Sequence, residues 1–156
     1  MIYWLYGQPG AGKTTLGDAL KKRLLSINPD EKIIRIDGDE MREVFNNKNY
    51  AIDGRIENMK KVNDLTRFLY KKGYTVIISV VAPFLEMRNK ILDLNPMMIY
   101  IWTDMVRGRE CYATDYMVFD PDDYQIRTDD DKTVGKCIDE ILKFRQDHIT
   151  RRKKWF

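Results

Sequence analysis

The sequence predicts an α/β protein in three layers, a parallel sheet of about five strands with helices on both faces. Three observations carry this. The apolar run 2–6 enters a glycine-rich loop and leaves it as a segment with leucines at helical spacing. Segment 74–81 is continuous and β-branched, the pattern of a strand buried on both faces. Strand and helix signals then alternate along the chain, which favours parallel strands joined by helical crossovers.

Taken in order, Ile2 to Tyr6 is the first strand, and Lys13 to Ile27 the first helix, with Leu16, Ala19, Leu20 and Leu24 on one stripe. Asn28-Pro29-Asp30 breaks the chain. Lys32 to Asp37 reads as a strand ending on an acid, followed by Gly38 and a short helix from about Asp39 to Phe45. From Arg55 to Lys72, apolar residues Ile56, Met59, Val62, Leu65, Phe68 and Leu69 recur every three or four positions, and Gly73 stands where a helix C-terminal glycine belongs. The strand 74–81 follows and Pro83 ends it. A helix near Phe84 to Leu92, a strand at Met97 to Trp102, an irregular stretch through Asp123, a short strand at Tyr124 to Arg127 and a helix from Thr133 to Asp147 complete the chain.

At 156 residues, 44% hydrophobic and 33% charged, the chain suits a single globular domain, 1–156, and neither a disordered nor a fibrous protein. Its net charge of +3 is spread out except at the tail 151–156, where Arg151, Arg152, Lys153 and Lys154 run together. Four like charges fall short of a nucleic-acid arm, so the tail reads as a solvated end or as a phosphate-binding or partner-docking tail, and no nucleic-acid partner is expected. Cys111 and Cys137 have neither zinc-ligand spacing nor scaffold density, and read as free thiols of a reducing compartment. No signal peptide or membrane span is legible, and cytoplasm is the expected location. His148 is expected at the surface, and the acidic clusters at 120–123 and 129–131 as solvated turns.

The chemistry begins at Gly7-Gln8-Pro9-Gly10-Ala11-Gly12-Lys13-Thr14, which matches G-x-x-x-x-G-K-[ST]. Glycines let successive backbone N–H groups point inward at phosphate oxygens, and the following helix presents its positive end. This P-loop is expected to hold ATP or GTP. The Lys13 ammonium would reach the β- and γ-phosphates, the Thr14 hydroxyl would ligate Mg²⁺, and Thr15 would reach the α-phosphate. The strand before the loop and the helix after it supply the context the motif requires.

Beyond the loop, Ile36-Asp37-Gly38-Asp39-Glu40-Met41-Arg42, Arg55-Ile56-Glu57-Asn58 and Ile78-Ser79-Val80-Val81-Ala82-Pro83 resemble the adenylylsulfate (APS) kinase family in order and spacing. The resemblance covers residues 1 to about 92. It implies a P-loop kinase that transfers the γ-phosphoryl of MgATP to the 3′-hydroxyl of a nucleotide, with a lid over the phosphates. By position it assigns Asp37 and Asp39 to magnesium and the acceptor hydroxyl, with Asp39 as base, and Arg42, Arg55 and Asn58 to the acceptor. Tyr50 falls where the family stacks an aromatic on the acceptor base, and a homodimer is a common assembly. The plain alternatives are that Asp39 caps the next helix, the arginines are solvated or salt-bridged, and Tyr50 is packing.

The sequence departs from the family in two places. Ala82 replaces the serine of the I-S-P segment, and the lid, about 103–119, is much shorter. Arg107-Gly108 resembles the lid's lysine-glycine and Arg109 adds a cation, so these two arginines could clamp transferring phosphates or form a basic turn. Tyr112, Tyr116 and Phe119 could supply an aromatic wall or simple packing. Two further readings stay open: a kinase of another acceptor, such as a modified cytidine diphosphate, a nucleoside or a polynucleotide end, and a nucleotide-binding module without transfer.

Overall fold

The computed structural model describes residues 1–104, 119–129 and 132–153. Its strands are β1 (Ile2–Tyr6), β2 (Ile33–Asp37), β3 (Thr75–Val80), β4 (Met97–Trp102) and β5 (Tyr124–Arg127). The helices are α1 (Lys13–Ile27), α2 (Gly38–Val44), α3 (Ile52–Lys71), α4 (Leu85–Asn89) and α5 (Val134–Lys153), with a single 3-10 turn at Leu92–Leu94. All strand pairs are parallel and the order is β2-β3-β1-β4-β5, the five-stranded sheet expected from the sequence.

Strand alternation sorts β1 between two cores. Ile2, Trp4 and Tyr6 face a layer with Met41, Met59 and Val62 from α2 and α3, while Tyr3 and Leu5 face Leu16, Leu20 and Ile138 from α1 and α5. The central position of β1, between β3 and β4, brings its carboxyl end up among the ends of its neighbours. Ligand crevices of open parallel sheets form at that edge.

Three boundaries differ from expectation. Helix α3 begins at Ile52 because Asn49 starts it: its Oδ1 accepts from the Ala51 N–H at 2.9 Å and its Nδ2 donates to Asp53 at 3.0 Å. Ile56 and Phe68 are exposed, and the inward face carries Asn58, Met59, Val62, Asn63 and Thr66, so apolar spacing located the helix but misassigned part of its face. The expected helix at 84–92 is shorter and passes into the 3-10 turn. At the C-terminus α5 continues to Lys153, so the start of the basic tail is helical. Gly73 does close α3, at φ 85°, with Tyr74 N–H to Leu69 O at 3.1 Å and Gly73 N–H to Tyr70 O at 3.0 Å, a Schellman arrangement.

Candidate active site

The phosphate loop is shaped by close backbone approaches. Gly7 lies at φ 154°, and a Cβ there would sit 2.0 Å from the Ile101 carbonyl oxygen, so only glycine lets β1 run this close to β4. Gly12 takes the left-handed conformation, φ 91°, as the N-cap residue of α1. Lys13 is buried and reaches back across the loop, its Nζ donating to Gln8 O at 2.7 Å. Beneath the loop the Thr128 hydroxyl, just past β5, donates to Ala11 O at 2.6 Å.

The end of β2 meets this loop through Asp37. Its carboxylate caps α2 by accepting the Asp39 N–H at 2.9 Å, takes the Thr14 hydroxyl at 2.7 Å and pairs with Arg35 at 3.1 Å. The helix cap is therefore Asp37, which removes the capping role from Asp39. Asp39 is exposed and lines the cleft described below. Arg35 also pairs with Asp18 at 2.7 Å and with Glu40, tying α1 to α2 behind Asp37. Burial alone would lower the Arg35 pKa, but the Glu40 hydrogen bond and the fields of Asp18, Glu40 and Asp37 more than offset it and leave it raised.

Thr14 and Asp37 suit magnesium, which takes hard oxygen donors and keeps most of its positions for water and phosphate oxygens. The Thr14 proton is engaged by Asp37, which leaves the hydroxyl lone pairs for a cation. Among the described residues no group of three or more His, Cys, Asp or Glu side chains converges as a metal cage.

Opposite the loop, Arg42 is buried and braces the segment before α3. Its Nη1 donates to Asn49 O at 2.8 Å and to Asn47 Oδ1 at 3.3 Å, and its guanidinium lies 4.5 Å from the Tyr50 ring centre. These bonds run through Nη1, so among the described residues Nε and Nη2 remain for another partner. Burial pushes the Arg42 pKa down, and Arg55 nearby pushes the same way. Arg55 donates from Nε to Tyr50 O at 2.9 Å. Asn58 donates to Gly38 O at 3.0 Å, while its buried Oδ1 has no partner among the described residues.

A cleft of about 720 Å³ joins the two sides. Pro9, Gly10, Gly12, Lys13, Thr14 and Thr15 line it from the loop and the start of α1, Asp37 from the end of β2 and Asp39 from the start of α2. Arg42, Tyr50, Arg55 and Asn58 line it from α2, α3 and the segment between them. The remaining loop residues Gly7, Gln8 and Ala11 are not among the residues that line it. Arg107, Arg109, Tyr112 and Tyr116 lie outside the described residues. Phe119 stacks on Tyr100 at 5.1 Å and joins the core, so its role is packing. Ala82, also lining the cleft, is buried at φ 40°, a left-handed conformation that strains a residue with a Cβ.

Several contributors escaped the sequence reading. Arg35, a cation within an apolar strand, was the one with a visible signal. Ser79 and Thr128, whose hydroxyls bond Lys13 O at 3.2 Å and Ala11 O, carry none. Two acidic clusters prove more than solvated turns. Asp123 accepts the Tyr6 hydroxyl at 2.5 Å, and Asp129 accepts the Thr103 hydroxyl at 3.1 Å. His148 is partly covered, its Nε2 3.2 Å from Asn95 O. Of the cysteines, Cys137 is free and buried, and Cys111 is outside the described residues.

The sequence profile described as adenylylsulphate kinase matches residues 1–115. The chain belongs to that family. It is 37% identical over 94 residues to the cytidine diphosphoramidate kinase of Campylobacter jejuni, covering 60% of this chain and 52% of that one. With the adenylyl-sulfate kinase of Myxococcus xanthus it shares 35% identity over 94 residues, 60% of this chain and 49% of the relative. The chain thus matches about half the length of these family members. The structure of Mycobacterium tuberculosis APS kinase in complex with AMPPNP and APS superposes with a TM-score of 0.75 at 17% identity, covering 93% of this chain and 96% of that one, and shows the shared family fold. Among the described residues no helix is long and apolar enough to cross a membrane.

Proposed function

We propose that this chain is an ATP-dependent small-molecule kinase that transfers the γ-phosphoryl group of ATP to a hydroxyl of a nucleotide, the reaction that the resemblance of its motifs implies. The observation that carries the proposal is the single cleft in which a phosphate loop faces Asp39, Arg42, Tyr50, Arg55 and Asn58. Phosphoryl transfer asks chiefly for alignment and charge neutralisation, and the cleft offers both. The loop N–H groups and Lys13 hold the ATP phosphates. Asp39, exposed to the cleft, orients the acceptor hydroxyl and takes its proton. Arg42 and Arg55 bind the acceptor's anionic group, the half-exposed Tyr50 ring offers a face to its base, and Asn58 lines the same wall. Magnesium, held at Thr14 beside Asp37, would neutralise phosphate charge. The sequence assigned Arg107 and Arg109 to the same charge, and that assignment stands as part of the proposal.

A second acceptor reading follows from the 37% identical relative, a cytidine diphosphoramidate kinase: a cytidine nucleotide with a modified diphosphate in place of APS. The deciding experiment is ADP release from MgATP, with APS and a panel of cytidine nucleotides offered in turn. APS-dependent turnover supports the first reading, turnover with a cytidine nucleotide only moves the assignment, and nucleotide binding with no turnover on any acceptor overturns the kinase. Asp39→Asn is expected to lower kcat about a hundredfold or more on whichever acceptor is used, with MgADP affinity unchanged.

A further inference from the structure

We propose that Thr128 is a positioning residue for the phosphate loop, setting the nucleotide affinity of a loop to which it does not belong. This rests on the nucleotide-binding reading above. Three contacts place it. The Thr128 hydroxyl donates to Ala11 O at 2.6 Å in a buried setting, much closer than Trp102 O, the other carbonyl in its reach at 3.3 Å. Its backbone N–H donates to Trp102 O at 2.8 Å, fastening it to the end of β4. A Cβ built on Gly12 would meet the Thr128 side chain at 3.8 to 4.0 Å, so this side chain underlies the residue that opens α1.

The physical argument is the planarity of one peptide unit. The Ala11 carbonyl and the Gly12 N–H belong to the same trans peptide and point in opposite directions. Holding the carbonyl down onto Thr128 therefore turns the Gly12 N–H the other way, and Gly12 lines the cleft. On either side of this peptide the backbone is glycine or alanine, so little within the loop prevents it from rotating. The end of β5 is a firm base from which to hold it. Next to Thr128, Asp129 accepts from the Thr103 hydroxyl at 3.1 Å and the Asp104 N–H at 3.3 Å, and Arg127 pairs with Asp104 at 2.6 Å.

The test compares MgADP affinity by calorimetry, and the MgADP-induced rise in melting temperature, for the wild type, Thr128→Val and Thr128→Ser. Valine keeps the shape and removes the donor, and is expected to weaken MgADP about tenfold. Serine restores the donor and is expected to bind within about threefold of wild type. In turnover the valine variant should raise the ATP KM more than it lowers kcat. A valine variant that melts lower by itself yet shows the full MgADP-induced rise has lost only stability, and overturns the proposal. Should valine melt below the assay temperature, Thr128→Ala is read in its place against the same two outcomes. A wild type that does not bind MgADP overturns the nucleotide-binding reading and this inference with it, whereas failure in the variants alone overturns only the inference.

Discussion

The two walls of the cleft are built on different principles. The phosphate wall, residues 7–15, is backbone: glycines at φ 154°, 83° and 91°, a helix N-terminus, and carbonyls tied down by Lys13 and Thr128. The opposite wall, residues 37–58, where we propose the acceptor binds, is side chain: Asp39, Arg42, Tyr50, Arg55 and Asn58, each projecting from α2, α3 or the segment between them. Backbone donors cannot change with side-chain identity, so the first wall suits a ligand part that is always the same. Side chains are replaced one at a time, so the second can be retuned to a new acceptor on an unchanged scaffold. The family matches fit this division, since relatives of nearly equal identity carry different acceptors in their names.

The largest expected effect breaks the backbone wall. Gly7→Ala puts a methyl group 2.0 Å from a β4 carbonyl at a φ few L-residues adopt. It should cost roughly 3 kcal/mol of stability and abolish measurable nucleotide binding, read by denaturation and MgADP titration. A variant as stable as wild type would show that β1 is free to move from β4. Less drastic is a change in the side-chain wall. Arg42→Lys removes the fork that braces Asn49 and faces Tyr50 while keeping the charge, and should raise the acceptor KM roughly tenfold with MgADP affinity untouched. Equal losses for acceptor and nucleotide would erase the distinction between the walls.

The smallest effect concerns the turn at 120–123, outside both walls, which Asp123 ties to Tyr6. Burial raises the Asp123 pKa, the Tyr6 hydrogen bond opposes it, and Asp120 adds to the rise. The folded state therefore holds this proton more tightly than the unfolded chain, so the group favours folding at low pH. That contribution is lost as pH rises from the unfolded value near 3.8 through the folded one. Asp123→Asn keeps an acceptor for Tyr6 and removes the titration. Its stability relative to wild type should improve between about pH 4 and pH 7 in paired denaturation series, and parallel curves would contradict the pH link.

What could be read from the sequence follows the same division. The phosphate loop was legible because its requirements are local, glycines at fixed offsets between a strand and a helix. The inward face of α3 was less so: Ile56 and Phe68 point to solvent while Asn58 and Asn63 are buried, the reverse of what polarity suggests. Asp37 and Asp39 were found together, and the resemblance made Asp39 the base while leaving open that it caps the next helix. Only the structure gives the cap, the Thr14 bond and the Arg35 pair to Asp37 and leaves Asp39 to the cleft.

By itself the sequence determined the alternation of strands and helices, the phosphate loop and the family, because each rests on periodicity or on residues within a few positions of one another. The tertiary structure alone decided the strand order, the facing of Arg42 and Asn58 across from the loop, and the support of Ala11 by Thr128, 117 positions away. Such contacts form where a parallel sheet brings distant strand ends to one edge, and no local pattern records which hydroxyl will arrive beneath which carbonyl.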